Sequence, residues 1–142
     1  MEHQRQILCI EDDPDTCELV TVSLGMVGYE VETAHTLQEG LMKARQERFA
    51  LYSIDNRLPD GSGIDLCRMI REFDPFTPIL FYSGAAFPDE IDPALEAGAQ
   101  AYLVKPADPF GLQKLVESLI NSSKTQMPFA LVGSRPTCPL PR

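Results

Sequence analysis

The stretch ILCIEDDPDT, residues 7–16, joins an uninterrupted apolar run to a cluster of acidic residues. The apolar run is typical of a buried strand in a parallel sheet, and a helical pattern begins at Pro14, directly after the acids. At a separation of about 5 Å and an effective dielectric constant of about 20, two like charges repel by about 3 kcal/mol. A cation, a proton or solvent must therefore relieve the repulsion among Glu11, Asp12 and Asp13.

Strand-like and helix-like segments alternate along the chain up to about Ile120. Apolar or alternating runs are each followed by a segment in which apolar residues recur every three or four positions. The strand-like runs are QILCI, YEVETA, FALYSI, PILFY and AYLV. Five such pairs with short connections predict an α/β fold, in which helices cover both faces of a parallel five-stranded sheet.

The second strand-like run differs from the others because it carries Glu30 and Glu32. The other four runs are almost continuously apolar, as central strands of a parallel sheet are. An edge position for the second strand fits the order 2-1-3-4-5, which belongs to a flavodoxin-like, doubly wound (βα)5 fold. That order places a crevice at the carboxyl ends of the first and third strands.

Charge divides the 142-residue chain into two regions. The whole chain has 21 acidic and 12 basic residues and a formal net charge of −9, which disfavours nucleic acid and anionic membranes as direct partners. All the acidic residues fall within 1–121, whereas 122–142 carries basic residues and several prolines. We therefore expect one folded domain, 1–121, and a Pro-rich C-terminal tail, 122–142, that is disordered.

Cysteine usage and hydropathy indicate a soluble cytoplasmic protein. The four cysteines include no C-x-x-C pair and are interpreted as reduced residues; they are Cys9, Cys17, Cys67 and Cys138. The first thirty residues contain acids, so they do not resemble a signal peptide. The longest uncharged run, residues 75–88, is too short and too polar to span a bilayer.

Polar residues follow four of the predicted strands. The acidic cluster follows the first strand, Asp55 the third, Ser83 ends the fourth, and Lys105 follows the fifth. The carboxyl ends of parallel strands meet at one edge of a sheet, so these side chains are expected to lie together. Carboxylates near one another suit a hard divalent cation such as Mg²⁺, so the acids are predicted to hold a metal.

Four motifs in this order resemble the receiver domain of bacterial two-component response regulators, in particular single-domain regulators of the chemotaxis type. The motifs are LCIEDDP, SIDNRLPDGSGIDL, ILFYSGA and AYLVKP, and the resemblance covers roughly residues 5–121. It implies that Asp55 accepts a phosphoryl group from a histidine kinase or a phosphotransfer protein. It also implies that Mg²⁺ is bound by Asp12, Asp55 and the backbone carbonyl of Arg57. Glu11 would assist this ion through water.

The resemblance also implies roles for three residues beyond the acids. Lys105 and Ser83 would contact the phosphoryl oxygens, and the Lys105–Pro106 peptide bond would be cis. On phosphorylation, Ser83 would move toward the phosphoryl group and Tyr102 would turn inward, as in other two-state switches. The output face would comprise the fourth helix, the fifth strand and the fifth helix. Such a domain transfers a phosphoryl group to itself and loses it again, and is not otherwise an enzyme.

Two neighbouring residues need separate interpretations. Asp13 followed by Pro14 is typical of a helix N-cap with proline at the first helical position, which places Asp13 outside the metal ligands. Arg57 stands where the family often has Met or Asn. One hypothesis pairs its guanidinium with Glu11 or Asp12 when metal is absent, or with the phosphoryl group when it is present. The alternative is a solvated surface arginine.

Other functions remain open from the sequence. A degenerate receiver would bind partners without phosphorylation. A phosphohydrolase of the haloacid-dehalogenase type is suggested by DPDTC, residues 13–17, but Cys17 replaces the Thr or Val of that motif, and the chain lacks room for a cap domain. The acidic loop would repel the phosphate of flavin mononucleotide, so a flavin site is disfavoured. The expected partners are a histidine kinase or phosphotransfer protein and a downstream protein, and a homodimer formed on phosphorylation is a further hypothesis.

Overall fold

The computed structural model describes residues 2–125 and the short segments 131–132 and 135–136, with side chains over residues 4–123. After a 3₁₀ turn, Glu2–Arg5, the helices are α1 (Pro14–Gly25), α2 (Leu37–Gln46), α3 (Gly63–Phe73), α4 (Pro88–Glu96) and α5 (Pro109–Thr125). The strands are β1 (Gln6–Ile10), β2 (Glu30–Ala34), β3 (Leu51–Ile54), β4 (Arg57–Leu58), β5 (Gly61–Ser62), β6 (Ile79–Ser83), β7 (Ala101–Val104), β8 (Leu131–Val132) and β9 (Arg135–Pro136).

The central sheet has the predicted strand order. Its parallel strands run β2-β1-β3-β6-β7, so β6 and β7 are the fourth and fifth strands of the sequence prediction. Ile10 pairs with Ala34 on one side and with Ile54 on the other, which brings three strand ends to one level. The flavodoxin-like (βα)5 prediction is confirmed, with β2 at the edge as its glutamates indicate.

Helices cover both faces of the sheet because successive residues of each strand point to opposite faces. Leu8 and Ile10 of β1 pack with apolar residues of α2, α3 and α4, whereas Ile7 and Cys9 pack with those of α1 and α5. All four of these side chains are buried. Burial on both faces explains why β1 is continuously apolar in sequence.

The first helix begins as the sequence predicts. Asp13 is the N-cap of α1, its carboxylate accepts from the main-chain N–H of Thr16, and Pro14 occupies the first helical position. Gly28, with φ of 94°, follows the helix and turns the chain toward β2. The short connection between β1 and α1 fixes the acidic residues at the edge of the sheet.

Helix α5 and two short strands extend past the predicted domain boundary. Helix α5 reaches Thr125, so the expected boundary between residues 121 and 122 falls inside a helix. Farther along, β8 pairs parallel to β7 and β9 pairs antiparallel to β8. The main-chain groups of an edge strand are free to pair in this way. The other residues predicted to form a disordered tail lie outside the described residues.

Two further predictions concern cysteines and membranes. Cys9, Cys17 and Cys67 are free and buried, as interpreted from the sequence, and Cys138 lies outside the described residues. Within the part of the chain that the structure describes, every helix is too short or too polar to cross a bilayer.

Candidate functional site

The strand ends place the predicted site residues together. Glu11 follows β1 and its N–H donates to Ala34 O, while the N–H of Asp55 donates to Ile10 O at 3.0 Å. The N–H of Lys105 donates to Ser83 O at 2.9 Å. These main-chain bonds continue the sheet ladder for one residue beyond each strand, so the side chains start from fixed positions on one edge.

Three carboxylates form a cluster at this edge. One oxygen each from Glu11, Asp12 and Asp55 lies within 4.8 Å of the other two. Glu11 is buried, Asp12 is exposed and Asp55 is partly buried, so the cluster opens to solvent on one side. Carboxylate oxygens are the ligands that hard cations prefer, and a metal ion bound here would relieve the repulsion among the acids.

Lys105 provides a positive charge beside the acids. Its Nζ donates to Glu11 Oε1 at 2.8 Å and lies 3.5 Å from Asp55 Oδ2. The Lys105–Pro106 peptide bond is cis, as the resemblance implies. Burial lowers the pKa of Lys105, but the hydrogen bond to Glu11 and the charge of Asp55 outweigh it, so the pKa is raised. The lysine therefore stays charged.

Glu11 holds its proton unusually strongly for a glutamate. Burial raises its pKa to about 7, the hydrogen bond with Lys105 opposes this shift, and the neighbouring Asp55 adds to it. The second carboxylate oxygen of Glu11 accepts from the main-chain N–H of Asp13 at 3.2 Å. In the absence of a cation, a proton on Glu11 is thus one way in which the cluster reduces its charge.

Two contacts of the Glu11 main-chain carbonyl were not predicted from the sequence. The main-chain carbonyl of Glu11 accepts from Cys17 Sγ at 3.2 Å and lies 3.1 Å from His35 Nδ1. The bond to that carbonyl raises the pKa of His35. Since His35 follows β2, its place beside β1 could be found from the strand order, although the contact itself could not. Both contacts help to hold the main chain at the start of the acidic loop.

Ser83 and Tyr102 occupy neighbouring buried strands. Ser83 is the last residue of β6, and its Oγ accepts from the main-chain N–H of Ala85 at 3.2 Å. Tyr102 of β7 points inward and stacks on Phe81, with ring centroids 5.6 Å apart. Its hydroxyl donates to Ala85 O at 2.5 Å. The predicted switch residues therefore meet the same short segment after β6.

Asn56 belongs to the site although no role was predicted for it from the sequence. It directly follows Asp55, is buried, and donates from Nδ2 to the hydroxyl of Tyr102 at 3.1 Å. The same Nδ2 lies 3.4 Å from Glu90 O in α4. Asn56, which adjoins the acidic cluster, thus contacts both the predicted switch residue Tyr102 and the fourth helix.

The Arg57 side chain forms a different ion pair from the one hypothesised. Its Nη2 donates to Glu90 Oε2 at 2.6 Å, whereas the proposed partner Glu11 is bonded to Lys105. The hypothesised pairing of Arg57 with Glu11 or Asp12 is thus replaced by a pair with Glu90, and the hypothesised contact with a phosphoryl group stays a prediction. The loop path explains the difference, because the short hairpin formed by β4 and β5 carries Arg57 toward α4.

We expect Arg57→Ala to change the free energy of unfolding by less than about 1 kcal/mol. The Arg57 side chain is 75% exposed, and solvent screens such ion pairs. Chemical denaturation at low salt measures the change, and Arg68→Ala, which removes an exposed pair with Asp65, is a matched control. A loss of several kcal/mol for Arg57→Ala alone would show that the pair supports the fold itself.

Gly63 allows the loop after Asp55 to fold back against it. The N–H of Gly63 donates to Asn56 O at 2.8 Å, and a Cβ at Gly63 would lie 2.2 Å from the main-chain oxygen of Asp55. Ser62 caps α3 by accepting from the N–H of Ile64. The GSG sequence therefore closes the loop so tightly that a side chain at its last position has no space.

Gly63→Ala is expected to destabilise the protein by about 1–3 kcal/mol, because main-chain atoms must move to admit the methyl group. Urea denaturation measures the loss. Gly25→Ala is the control, since a Cβ there meets no atom within 4 Å, and its effect should stay within about 1 kcal/mol. Equal stability of the two variants would mean that the loop relaxes without cost.

Comparisons with known proteins agree with this geometry. Residues 7–117 match the family model of the response regulator receiver domain. The response regulator protein PilR of Pseudomonas aeruginosa is 33% identical over 132 residues, which are 93% of this chain but 30% of that protein. A CheY-like receiver domain protein from Methanospirillum hungatei superposes with a TM-score of 0.83 at 31% identity, covering 87% of this chain and 98% of that one.

A further solved structure that is similar to this chain contains bound groups. It is a response regulator protein from Burkholderia pseudomallei with a phosphorylated aspartic acid, calcium ion and citrate. It is 27% identical, has a TM-score of 0.74, and covers 85% of this chain and 69% of that one. The chain spans less than half the length of the first curated relatives that it matches, which are 30%, 43% and 32% covered.

Proposed function

The chain belongs to the response regulator receiver domain family, and from this premise we propose that Asp55 is its phosphoacceptor and that the acidic cluster binds Mg²⁺. One observation carries the proposal. The Asp55 carboxylate lies within 4.8 Å of those of Glu11 and Asp12 and 3.5 Å from the Lys105 ammonium. A nucleophile, a set of metal ligands and a cation are thus adjacent at an edge that opens to solvent.

The reaction that suits this arrangement is phosphoryl transfer to a carboxylate. An oxygen of Asp55 forms a bond to phosphorus while the bond from phosphorus to the donor, a phosphohistidine nitrogen or a small acyl phosphate oxygen, breaks. Bound Mg²⁺ would neutralise charge on the phosphoryl oxygens. Lys105 would supply a further positive charge, and the Ser83 hydroxyl would donate to one remaining oxygen.

The ligand set is proposed from the resemblance to the family, and the position of each acid supports it. Asp12 and Asp55 are proposed as direct ligands together with the backbone carbonyl of Arg57, and Glu11 as a ligand through water. Glu11 suits the indirect role because Lys105 occupies one of its oxygens. Asp13 stays outside the set, because its carboxylate caps α1 through Thr16. Oxygen donors alone, with space for water on the exposed side of Asp12, are the conditions that Mg²⁺ requires.

The output is proposed to run through Ser83 and Tyr102 to the face formed by α4, β7 and α5. Tyr102 already lies inward, where its hydroxyl bonds to Ala85 O and accepts from Asn56. A phosphoryl group that draws Ser83 toward Asp55 would release Ser83 Oγ from the N–H of Ala85, which lies in the same segment. The change would therefore reach α4 through the connection after β6.

The partners are proposed from the family. A histidine kinase or phosphotransfer protein would donate the phosphoryl group in the cytoplasm, and a downstream protein would bind the α4–β7–α5 face. A second copy of the chain is another candidate for that face. The site itself gives no support to the haloacid-dehalogenase alternative, because Asp13 is engaged as a helix cap and Cys17 is buried.

Intact-protein mass after incubation with acetyl phosphate tests the proposal. We expect one phosphate adduct that requires Mg²⁺ and is lost when the metal is chelated. Steady release of phosphate from small phosphate esters, without an adduct, would instead indicate a hydrolase. If neither an adduct nor turnover is found, the chain is a degenerate receiver that binds partners without phosphorylation.

A further inference from the structure

The two residues that follow Asp55 both contact one residue of α4. Asn56 Nδ2 lies 3.4 Å from Glu90 O, and Arg57 Nη2 donates to Glu90 Oε2 at 2.6 Å. The other oxygen of the Glu90 carboxylate accepts from the N–H of Phe87, the N-cap of α4, at 3.2 Å. Glu90 therefore joins the first turn of α4 to the loop that carries Asp55.

Asn56 extends these contacts to β7. Its Nδ2 also donates to the buried hydroxyl of Tyr102 at 3.1 Å. Two of the three elements of the proposed output face, α4 and β7, are thus held by Asn56 and Arg57, which adjoin the phosphoacceptor. Since neither contact uses Ser83, the loop after β3 has its own physical connection to that face.

The Arg57–Glu90 ion pair is weak enough for a new charge nearby to break it. The Arg57 side chain is 75% exposed and that of Glu90 is 23% exposed, so water screens their attraction. The N–H of Arg57 lies 3.4 Å from Asp55 Oδ1, which puts the start of its long side chain next to the phosphorylation site. A phosphoryl group adds about −1.5 to −2 charge near neutral pH; bound Mg²⁺ and Lys105 would offset part of that charge, but the phosphoryl oxygens keep lone pairs that can accept from the guanidinium.

We propose that Glu90 is a positioning residue that clamps α4 to the phosphoacceptor loop through Arg57, and that a phosphoryl group on Asp55 opens this clamp by attracting the guanidinium. The proposal rests on the proposed function, because it requires Asp55 to be the residue that is phosphorylated. The clamp consists of the Arg57–Glu90 ion pair and the contact between Asn56 and Glu90 O. Its opening frees the first turn of α4.

The clamp itself can be tested without phosphorylation, by hydrogen exchange of the Glu90 and Ile91 amides. Both amides donate to Phe87 O, at 2.8 and 3.0 Å, and therefore report on the first turn of α4. We expect Arg57→Ala and Glu90→Gln each to accelerate their exchange about two- to fivefold, as the loss of a screened ion pair would. Arg57→Lys, which keeps the charge, should retain most of the protection.

Two controls separate the clamp from general effects on the helix. Asp89→Asn removes the same charge from the same turn of α4 but leaves the Arg57–Glu90 pair in place, so it should not reproduce the acceleration. The double variant Arg57→Ala/Glu90→Gln should exchange no faster than the faster single variant, because both changes remove one interaction. Exchange in Arg57→Ala at the wild-type rate would overturn the clamp.

The opening step is tested with acetyl phosphate and Mg²⁺ in excess, with the adduct verified by mass in each sample. Phosphorylation should accelerate exchange of the same amides two- to fivefold in the wild type and produce no further acceleration in Arg57→Ala. Equal acceleration in both proteins would overturn the role of Arg57 in opening. A wild type that forms no adduct would refute the proposed function and the opening step, while the comparison without phosphate still decides whether the clamp exists.

Discussion

Asp55→Asn is expected to abolish the Mg²⁺-dependent phosphate adduct while the protein remains folded. Asparagine has nearly the shape of aspartate, but its amide cannot act as the carboxylate nucleophile in phosphoryl transfer. The Asp55 side chain is 12% exposed, and asparagine fits the same space because it adds no volume. The hydrogen bond from Lys105 Nζ to Glu11 Oε1, at 2.8 Å, does not involve Asp55 and is therefore preserved in the variant.

Asp13→Asn is the matched control for this loss. It also replaces an aspartate of the same edge by asparagine, and asparagine can still cap α1 as Asp13 does. We expect its adduct to form in wild-type yield, measured by intact mass after a fixed incubation with acetyl phosphate. An adduct on Asp55→Asn as abundant as on the wild type would place the phosphoacceptor at another residue and would contradict the proposed function.

The residues that could be predicted from the sequence are those that strand topology brings together. Alternating strand and helix patterns determine which strands are parallel, and parallel strands end at one edge. The convergence of Glu11, Asp55 and Lys105 therefore follows from the positions at which the apolar runs stop. The N-cap at Asp13 was equally predictable, because its bonds reach only three residues along the chain.

Contacts between distant residues could not be predicted in this way. Arg57 meets Glu90 across 33 residues and Asn56 meets Tyr102 across 46. These pairings depend on the path of the loop between β3 and α3, where the two-residue strands β4 and β5 are too short to leave a pattern in the sequence. Pairing of β8 with β7 was missed for another reason, since main-chain hydrogen bonds are available to almost any residue type.

The strength of Mg²⁺ binding is expected to depend on pH through Glu11. Its pKa is raised to about 7 by burial, so the metal-free protein holds a proton that the ion must displace. Below pH 7 the apparent Mg²⁺ affinity should fall by up to about tenfold per pH unit, and above pH 8 it should level off. Calorimetric titration with Mg²⁺ from pH 5.5 to 8.5 measures how the affinity changes with pH and how many protons are released on binding.

Glu11→Gln identifies the group responsible. The variant cannot release a proton at this position, so its Mg²⁺ affinity should be weaker at pH 8 and nearly independent of pH between about 6 and 8. Asp55 helps to raise the pKa of Glu11, so in the metal-free protein Asp55→Asn should shift the titration of Glu11 to lower pH. If the Mg²⁺ affinity of Glu11→Gln depends on pH as strongly as that of the wild type, the displaced proton belongs to another group.

The same proton makes the stability of the metal-free protein depend on pH. The pKa of Glu11 is about 7 when folded and near its ordinary value of 4.5 when unfolded, so the folded state binds the proton more tightly. Its contribution to stability is therefore largest below the unfolded pKa and is lost as pH rises through the folded one, by about 1 kcal/mol between pH 6 and 8. Urea denaturation of wild type and Glu11→Gln, with metal chelated, isolates this contribution as the difference between the two pH profiles.

Saturating Mg²⁺ should reverse the trend in the wild type, because the ion binds the deprotonated folded state and stabilises it more at pH 8 than at pH 6. Parallel profiles with and without Mg²⁺ would show that Mg²⁺ binding does not displace the Glu11 proton.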